Sequence, residues 1–470
     1  MLYKLRPYQI ETVNKTLEYF NNKQNYGKAG LVIAPVASGK SLIIGSIAKE
    51  FGKKTVVLQP SVELLHQNSE KLKNFGGEFS IYSAKAGFKD LSDMTFATIG
   101  SIKSMGKEFK KYGIDTVLVD EGHLAPPKKS SMFRKFMDDL KPKHVASFTA
   151  TPCRLYTMGD RYDSYSVLNF LTNRIGNEHS YFKNVIHTIS VEEMVNNHFW
   201  SPIEYELYDF DEGTLRLNST GAEFTEESIK KAIKEQGINN LIFKKVKELN
   251  SNGIKRNLIF CDSVETAKKM AGIIPKSAYV SGETDNKLRE EIIYKFKTGE
   301  VWNVFNHGVL STGFDYPELQ TVIMGRPTNS YASYYQIAGR VVRIHHDKDK
   351  GTFIDFCNNV KRFGRLEDLT IEYIEGFGWG MFNGNKLLTN TRMGTLAITK
   401  ELLKGELILD ADDDDIKFWF GKHNGKKPIE CPLNYLKWFL EEFKIKHNST
   451  NEIKRLIFQV KRVIEKEKAP

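Results

Sequence analysis

Residues 31–41 read LVIAPVASGKS, and the stretch that follows, 40-KSLIIGSIAKEF, keeps its apolar residues on one helical face. A short aliphatic run before such a stretch reads as a buried strand leading through a turn into a helix. A loop at that junction aims backbone N–H groups and the helix N-terminus at an anion, so Lys40 meets the β- and γ-phosphates and the Ser41 hydroxyl holds Mg²⁺. The segment reads as a nucleoside-triphosphate site rather than an ordinary glycine turn, with Ala37, Ser38, Gly39, Lys40 and Ser41 around the phosphates and Ser41 a metal ligand.

Outward from it, short apolar runs alternate with amphipathic stretches, the rhythm of parallel α/β sheets. Strands are predicted at 31-LVIAP, 55-TVVLQP, 94-MTFATI, 116-TVLVDE and 145-VASFTATP, with helices from 40 and 62. A second series has strands at 256-RNLIFCDS, 277-SAYVSG, 301-VWNVFNH, 320-QTVIMG and 352-TFIDF, with helices from 263 and 287. Between the two lies an aromatic stretch (Tyr156, Tyr162, Tyr165, Phe170, Tyr181, Phe182), read as core or as a strand-separating wedge. A helical stretch follows it, opening with a capping box at Thr225 and the glutamates after it. The predicted division is a first lobe at 1–205, an insertion and linker at 206–250, a second lobe at 251–383, a connector at 384–415 containing the acidic run 410-DADDDD, and a small accessory module at 416–470.

The chain has 470 residues, of which 40% are hydrophobic and 27% charged, ample for several cores and contrary to bulk disorder. The sequence lacks an apolar run long enough for a membrane span, and MLYKLRPYQ lacks a signal-peptide core, so a cytoplasmic place is expected, that of a host if a phage encodes it. Cys153, Cys261, Cys357 and Cys431 are scattered, without zinc-ligand spacing, and read as reduced thiols. Of the net charge of +10, residues 416–470 supply +7, from thirteen Lys/Arg and six Glu. That excess suits a polyanionic partner without identifying one.

Two further motifs carry chemistry. In 116-TVLVDEGH, a β-branched run ends in paired carboxylates: Asp120 is placed for Mg²⁺ and Glu121 for orienting the attacking water. In 336-QIAGRVVR, Arg340 and Arg343 are spaced to share a helical face and neutralise charge developing on a γ-phosphate, with Gly339 allowing close approach. The company of Thr312, Gly313 and Asp315 in 308-GVLSTGFDYP weighs against a merely solvated pair. His123, beside the carboxylates, reads as a link to 147-SFTATP or as a structural residue.

The ordered set 5-LRPYQ, 34-APVASGKS, 98-TIGSI, 120-DEGH, 147-SFTATP, 258-LIFCDS, 311-STGFD and 336-QIAGRVVR resembles the superfamily 2 helicase core over about residues 1–357, most closely the RadD-like and phage-encoded branch-migration DNA helicases. The resemblance implies two RecA-like parallel-sheet lobes in tandem, an α/β fold with ATP and Mg²⁺ between them. It implies that Arg6 and Gln9 contact adenine, that Asp315 lies near the ribose and that Gly313 belongs to the nucleotide-binding set. Gln336, Arg340 and Arg343 would reach the γ-phosphate, while His123, Thr149 and Thr151 couple hydrolysis to movement. Ser61, Thr98, Ser101, Gly282 and Thr312 would follow the nucleic-acid track.

The chain departs from the family's pattern in carrying Val36-Ala37 where Thr-Gly is common, and DEGH where DEAH or DECH is common, the latter read as added flexibility beside His123. The cysteine-rich C-terminal module of the RadD-like proteins is absent. In its place 418-FWFGKHNGKKPIECPLNYLKWFLEEF resembles a small C-terminal module of some bacterial and phage exonucleases. Its Gly421, Lys422, Lys426 and Lys427, beside Trp419 and Trp438, suit phosphate contact and base stacking, or the tryptophans form the module's core. The expected activity is an ATP-dependent helicase or translocase that remodels forked or branched DNA as a monomer, with low sequence specificity and high salt sensitivity. RNA unwinding, or an ATP-gated clamp on branched DNA without strand separation, are the alternatives.

Overall fold

The computed structural model describes residues 4–73, 77–126, 130–158, 165–172, 180–311, 314–375, 377–390, 399–400, 403, 416–418 and 422–442, and scattered positions of 456–464. Two parallel sheets dominate. The first has the strand order β10-β1-β7-β6-β2-β5-β3-β4. Its members are β1 (Ala29–Ile33), β2 (Thr55–Gln59), β3 (Ser80–Ser83), β4 (Phe88–Lys89), β5 (Met94–Thr98), β6 (Thr116–Asp120), β7 (His144–Thr149) and, beyond a separate hairpin of β8 (Cys153–Met158) and β9 (Tyr165–Phe170), β10 (Phe182–Thr188). Every pairing is parallel except β3 with β4. All residues of β1, β2, β6 and β7 are buried, which explains why these strands read as continuous aliphatic runs: helices cover both faces.

The second sheet is wholly parallel, ordered β11-β16-β15-β12-β14-β13, from β11 (Ile203–Leu207), β12 (Asn257–Phe260), β13 (Ser277–Ser281), β14 (Asn303–His307), β15 (Thr321–Met324) and β16 (Gly351–Asp355). The boundary expected at 205 therefore moves: Ile203 to Leu207 pair residue for residue with Gly351 to Asp355 and belong to the second sheet. The helical stretch expected as insertion and linker is two helices, Glu226–Glu235 and Ile238–Ser251, separated at Gly237 (φ 63°). Their Ile229, Ile233, Ile242 and Val246 pack with Ile259, Phe305, Ile323 and Ile354, so they form the cover of one face of this sheet. The capping box is also corrected: the N-cap is Thr225, but the third helical residue is Ser228, whose backbone N–H donates to the Thr225 hydroxyl at 3.3 Å.

Beyond β16 the chain forms a small antiparallel sheet, β17 (Leu369–Ile374), β18 (Gly378–Asn383) and β19 (Lys386–Leu387), where only a fading α/β pattern was expected. It docks on the β8–β9 hairpin of the first lobe. Phe170 and Trp379 stack with centroids 6.3 Å apart, Asn390 N–H donates to Leu168 O at 2.7 Å, and Phe170 N–H donates to Asn390 Oδ1 at 3.0 Å. Phe170 and Phe182 are buried, so these two aromatics of the 156–182 stretch are core; Tyr162 lies outside the described residues. The tail has its own apolar cluster of Phe418, Leu436, Phe439, Leu456 and Val460. Trp438 is not in it and is 48% exposed, while Trp419, Gly421 and the acidic run lie outside the described residues. No helix among the described residues is long and apolar enough to cross a membrane.

Truncating a buried ring of this kind costs about 3–5 kcal/mol in lost burial and residual cavity. Phe170→Ala is expected to lower the unfolding free energy by that amount in denaturant titration and to increase proteolysis within 369–390.

Candidate nucleotide site between two lobes

Strands β1, β7 and β6 are neighbours, with Ile33 opposite Thr149 and Asp120 opposite Phe148. Their C-terminal ends thus deliver the 34–41 loop, 149-TATP and 120-DEGH to one edge of the sheet, the edge where open parallel sheets bind ligands. The loop keeps its shape without the family's glycine because Ala37 takes the left-handed conformation itself (φ 59°), at a cost of about 1–2 kcal/mol. Gly122 is required for close approach rather than flexibility: a Cβ there would lie 1.8 Å from Ser147 Oγ on β7. This corrects the reading of DEGH as a looser form of the motif.

Gln9 braces the loop. Its Nε2 donates to Ser38 O at 2.8 Å, the Tyr8 hydroxyl donates to the same oxygen at 3.1 Å, and Gln9 Oε1 accepts from Arg6 N–H at 2.9 Å. Both ends of the amide are thus anchored to the chain, each keeping a second hydrogen or lone pair for a further partner. The Arg6 guanidinium lies over the Phe199 ring, 4.5 Å from its centroid, and both residues line the cleft.

Lys40 Nζ stands 3.6 Å from Glu121 Oε1, and His123 Nδ1 is 3.3 Å from Glu121 Oε2 and 3.0 Å from Thr149 Oγ1. His123 therefore bridges the second carboxylate and the TATP segment, the linking role expected of it. Thr149 Oγ1 accepts from Thr151 N–H at 3.1 Å, while the Thr151 hydroxyl is buried without a hydrogen-bond partner. Asn68, from the helix Val62–Lys73, was invisible to motif reasoning. Its Oδ1 accepts from Ser41 Oγ at 2.5 Å and its Nδ2 donates to Asp120 Oδ2 at 2.9 Å. One amide thus gathers the hydroxyl and carboxylate expected to hold Mg²⁺; paired hard oxygens suit that ion, and Ser41 and Asp120 are the residues that would hold it.

The two carboxylates are driven apart electrostatically. Burial, then the Glu121 charge, pushes Asp120 up to about 6. Burial alone would raise Glu121 too, but Lys40, His123 and Gln336 together outweigh it and hold Glu121 down at about 2. With one lysine between two buried acids, the proton goes to Asp120.

The second lobe supplies the opposite wall. Gln336, in the helix Tyr331–Ala338, donates from Nε2 to Glu121 Oε1 at 3.4 Å across the cleft. Arg340 and Arg343 do not share a helical face as expected, because the helix ends at Ala338; Arg340 lies in the turn after it and Arg343 just beyond that turn. That turn is drawn inward: a Cβ on Gly339 would lie 2.4 Å from Val36 Cγ2, and buried Lys348 donates from Nζ to Val341 O at 2.9 Å. Arg340 donates to Phe314 O and Ser311 O, and Arg343 Nε pairs with Asp315 Oδ1 at 3.1 Å. Asp315, expected near the ribose, here holds an arginine. Lys40, Ser41, Asp120, Glu121, Gln336, Arg340 and Arg343 nevertheless line one cleft of about 440 Å³.

The residues expected along a nucleic-acid track are dispersed. Ser61 accepts from Leu64 N–H at 3.3 Å, starting the helix Val62–Lys73, and lines the nucleotide cleft itself. Thr98 and Ser101 are joined hydroxyl to hydroxyl at 3.0 Å, with Ser101 Oγ also accepting from Ala84 N–H at 2.9 Å. Gly282 follows β13 and faces open space, Lys422 and Lys426 are exposed, and Thr312 and Gly313 lie outside the described residues. Phe199, Trp200 and Ser201 carried no motif signal, because their role depends on what the fold brings to them.

Comparison with known proteins matches residues 2–154 to the family Type III restriction enzyme, res subunit, and residues 240–345 to the family Helicase conserved C-terminal domain. A 51.5 kDa protein of a Lactococcus phage is 25% identical over 329 residues, covering 68% of this chain and 63% of that one. A Saccharomyces cerevisiae protein assigned provisionally as the ATP-dependent helicase IRC3 is 23% identical over 380 residues, covering 75% of this chain and 51% of that one. The chain thus spans about half to just under two thirds of these relatives' lengths. Among solved structures, the ATP-dependent Type ISP restriction-modification enzyme LlaBIII bound to DNA matches with a TM-score of 0.54 at 16% identity, covering 76% of this chain and 28% of that one. Both halves of the helicase core are matched in order, and their motif residues converge on a single cleft between two parallel-sheet lobes: residues 2–154 and 240–345 carry the two halves of a superfamily 2 helicase core.

Proposed function

We propose that the chain is an ATP-driven DNA motor that unwinds or translocates, acting on forked or branched DNA. The observation that carries the reading is the shared cleft, in which Lys40, Asp120 and Glu121 of one lobe face Gln336, Arg340 and Arg343 of the other. Lys40 binds the phosphates, and Glu121, kept ionised by Lys40 and His123, accepts a hydrogen bond from the attacking water and orients it. Mg²⁺, when bound, neutralises phosphate charge. Because Gln336 already touches Glu121 across the cleft, a change at the phosphates is felt as relative displacement of the lobes.

DNA as the polymer is supported by relatives named for it, such as the DNA 3'-5' translocase XPB2 of Sulfurisphaera tokodaii, 22% identical over 389 residues; the basic tail, where Lys422 and Lys426 are exposed and Trp438 offers half its surface for stacking, suits a nucleic-acid polyanion. That tail is the element we assign to forked or branched ends. Grip through phosphates makes affinity steeply salt-dependent and nearly indifferent to sequence.

Steady-state ATP hydrolysis with and without single-stranded, forked and four-way DNA tests the reading. Lys40→Ala or Glu121→Gln is expected to lower the stimulated rate at least about a hundredfold while circular dichroism is unchanged; full turnover in either variant overturns the assignment. A second expectation follows from Asp120, which stands at about 6 against an ordinary 3.8. Below about pH 6 it is neutral and a poorer Mg²⁺ ligand, so the Mg²⁺ concentration giving half-maximal rate should rise between pH 7.5 and 5.5, with Glu121, at about 2, ionised throughout. On stability the sign is reversed: the native state holds this proton more tightly than the unfolded chain, so the contribution is present below about 3.8 and lost as pH rises through about 6.

A further inference from the structure

The segment joining the two sheets, 199-FWSP, touches three parts of the nucleotide machinery with three consecutive residues. The helix Val191–Asn196 ends just before it, with His198 held in the left-handed region (φ 53°) and the N–H groups of Phe199 and Trp200 both donating to Met194 O, at 2.8 and 3.0 Å. Phe199 then lies under the Arg6 guanidinium and against Tyr8, with ring centroids 5.1 Å apart, at the cleft wall. Trp200, 3% exposed, donates from Nε1 to Val36 O at 2.9 Å, inside the phosphate loop. Ser201, 4% exposed, donates from its N–H to Val342 O at 2.8 Å and from its hydroxyl to Arg343 O at 2.9 Å. Pro202 O accepts from Gly351 N–H at 2.8 Å, and β11 begins at the next residue.

A covalent connection between two moving bodies needs only reach; this one is hydrogen-bonded at fixed points to both. Val36 is the shared contact, accepting from Trp200 on one side and packed on Gly339 on the other. The turn bearing Arg340, with Arg343 just beyond it, is therefore indexed to the phosphate loop twice, directly through Gly339 and through Trp200–Ser201. We propose that Phe199, Trp200 and Ser201 form a hinge that sets the arginine turn according to the state of the phosphate loop and of the cleft wall formed by Arg6 and Phe199. Trp200 and Ser201 are positioning residues in this scheme. They act through Val36 and Arg343, and their effect belongs to the step in which charge develops, not to ground-state nucleotide binding.

The inference rests on the ATPase reading, and the test separates the two. Trp200→Phe keeps an aromatic side chain but removes the N–H together with the indole's five-membered ring; Ser201→Ala keeps the backbone bond and removes the hydroxyl donor. Each variant is expected to lower kcat for ATP about five- to tenfold, the scale of one neutral hydrogen bond realised in the transition state, with KM and the dissociation constant for ADP within about twofold of the parent; the melting temperature of Ser201→Ala stays within about 2 °C, while Trp200→Phe, which trims a buried ring, lowers it by a few degrees. The double variant should lose less than the product of the two single effects, because both break one linkage. Parental kcat in both single variants overturns the hinge while leaving the ATPase reading intact. Parallel loss of ADP affinity in both variants, with a lowered melting temperature in Ser201→Ala, also overturns it, by showing a merely structural segment. Absence of Lys40-dependent hydrolysis in the parent protein overturns the function itself.

Discussion

Two adjacent carboxylates buried beside one lysine are the constraint on which the site depends. Asp120 and Glu121 leave water together at the end of β6, and Lys40 stands 3.6 Å from the second. Like charges this close in a low-dielectric setting are not both ionised cheaply, so the surroundings choose which acid takes a proton first as the pH falls. Asn68 and the Glu121 backbone N–H give Asp120 hydrogen bonds, while His123, Lys40 and the Gln336 amide converge on Glu121. Glu121 is thus kept charged by groups from both lobes, and separation of the lobes removes one of them.

The rest of the fold arranges this meeting. Parallel strands bring β1, β6 and β7 to a common edge, the bracing by Tyr8 and Gln9 fixes the phosphate loop, and Gly122 lets the carboxylate turn sit against β7. On the far wall, Gly339 presses the arginine turn onto Val36. A continuous apolar cluster includes Val36 and Ala150 of the first lobe and Tyr331, Ile337 and Val341 of the second, so the interface is packed as a core and transmits displacement as a rigid contact does. The small sheet after β16 adds a second tie, through Trp379 and Asn390, to the hairpin that follows TATP.

Much of this was legible in the sequence where the signal is local. The strand–loop–helix at 31–51 and the strand ending in DEGH are set by neighbours within a few residues, and the lobes' aliphatic strands announce two-sided burial. What was missed depends on distant partners. β10 (FKNVIHT) and β11 (IEYEL) are edge strands with one solvated side and too few apolar residues to stand out. The helical face assigned to Arg340 and Arg343 was misread because spacing does not reveal that Gly339 and Lys348 fold the chain after Ala338. Asn68 gives no motif, since its meaning is the pair of oxygens a different strand and loop bring to it. Gln9 was placed at the nucleotide site, but its bracing of the loop backbone was missed, for that reach is a tertiary fact.

The central claim is that the arginine turn serves charge developing on the nucleotide. Affinity for ADP with aluminium fluoride, a mimic of the phosphate in transit, tests it most directly when compared with affinity for ADP alone in the parent and in Arg343→Ala, the less buried of the two arginines. The account predicts at least about a tenfold loss for the mimic with ADP affinity unchanged. Equal affinity for the mimic in the two proteins would contradict it.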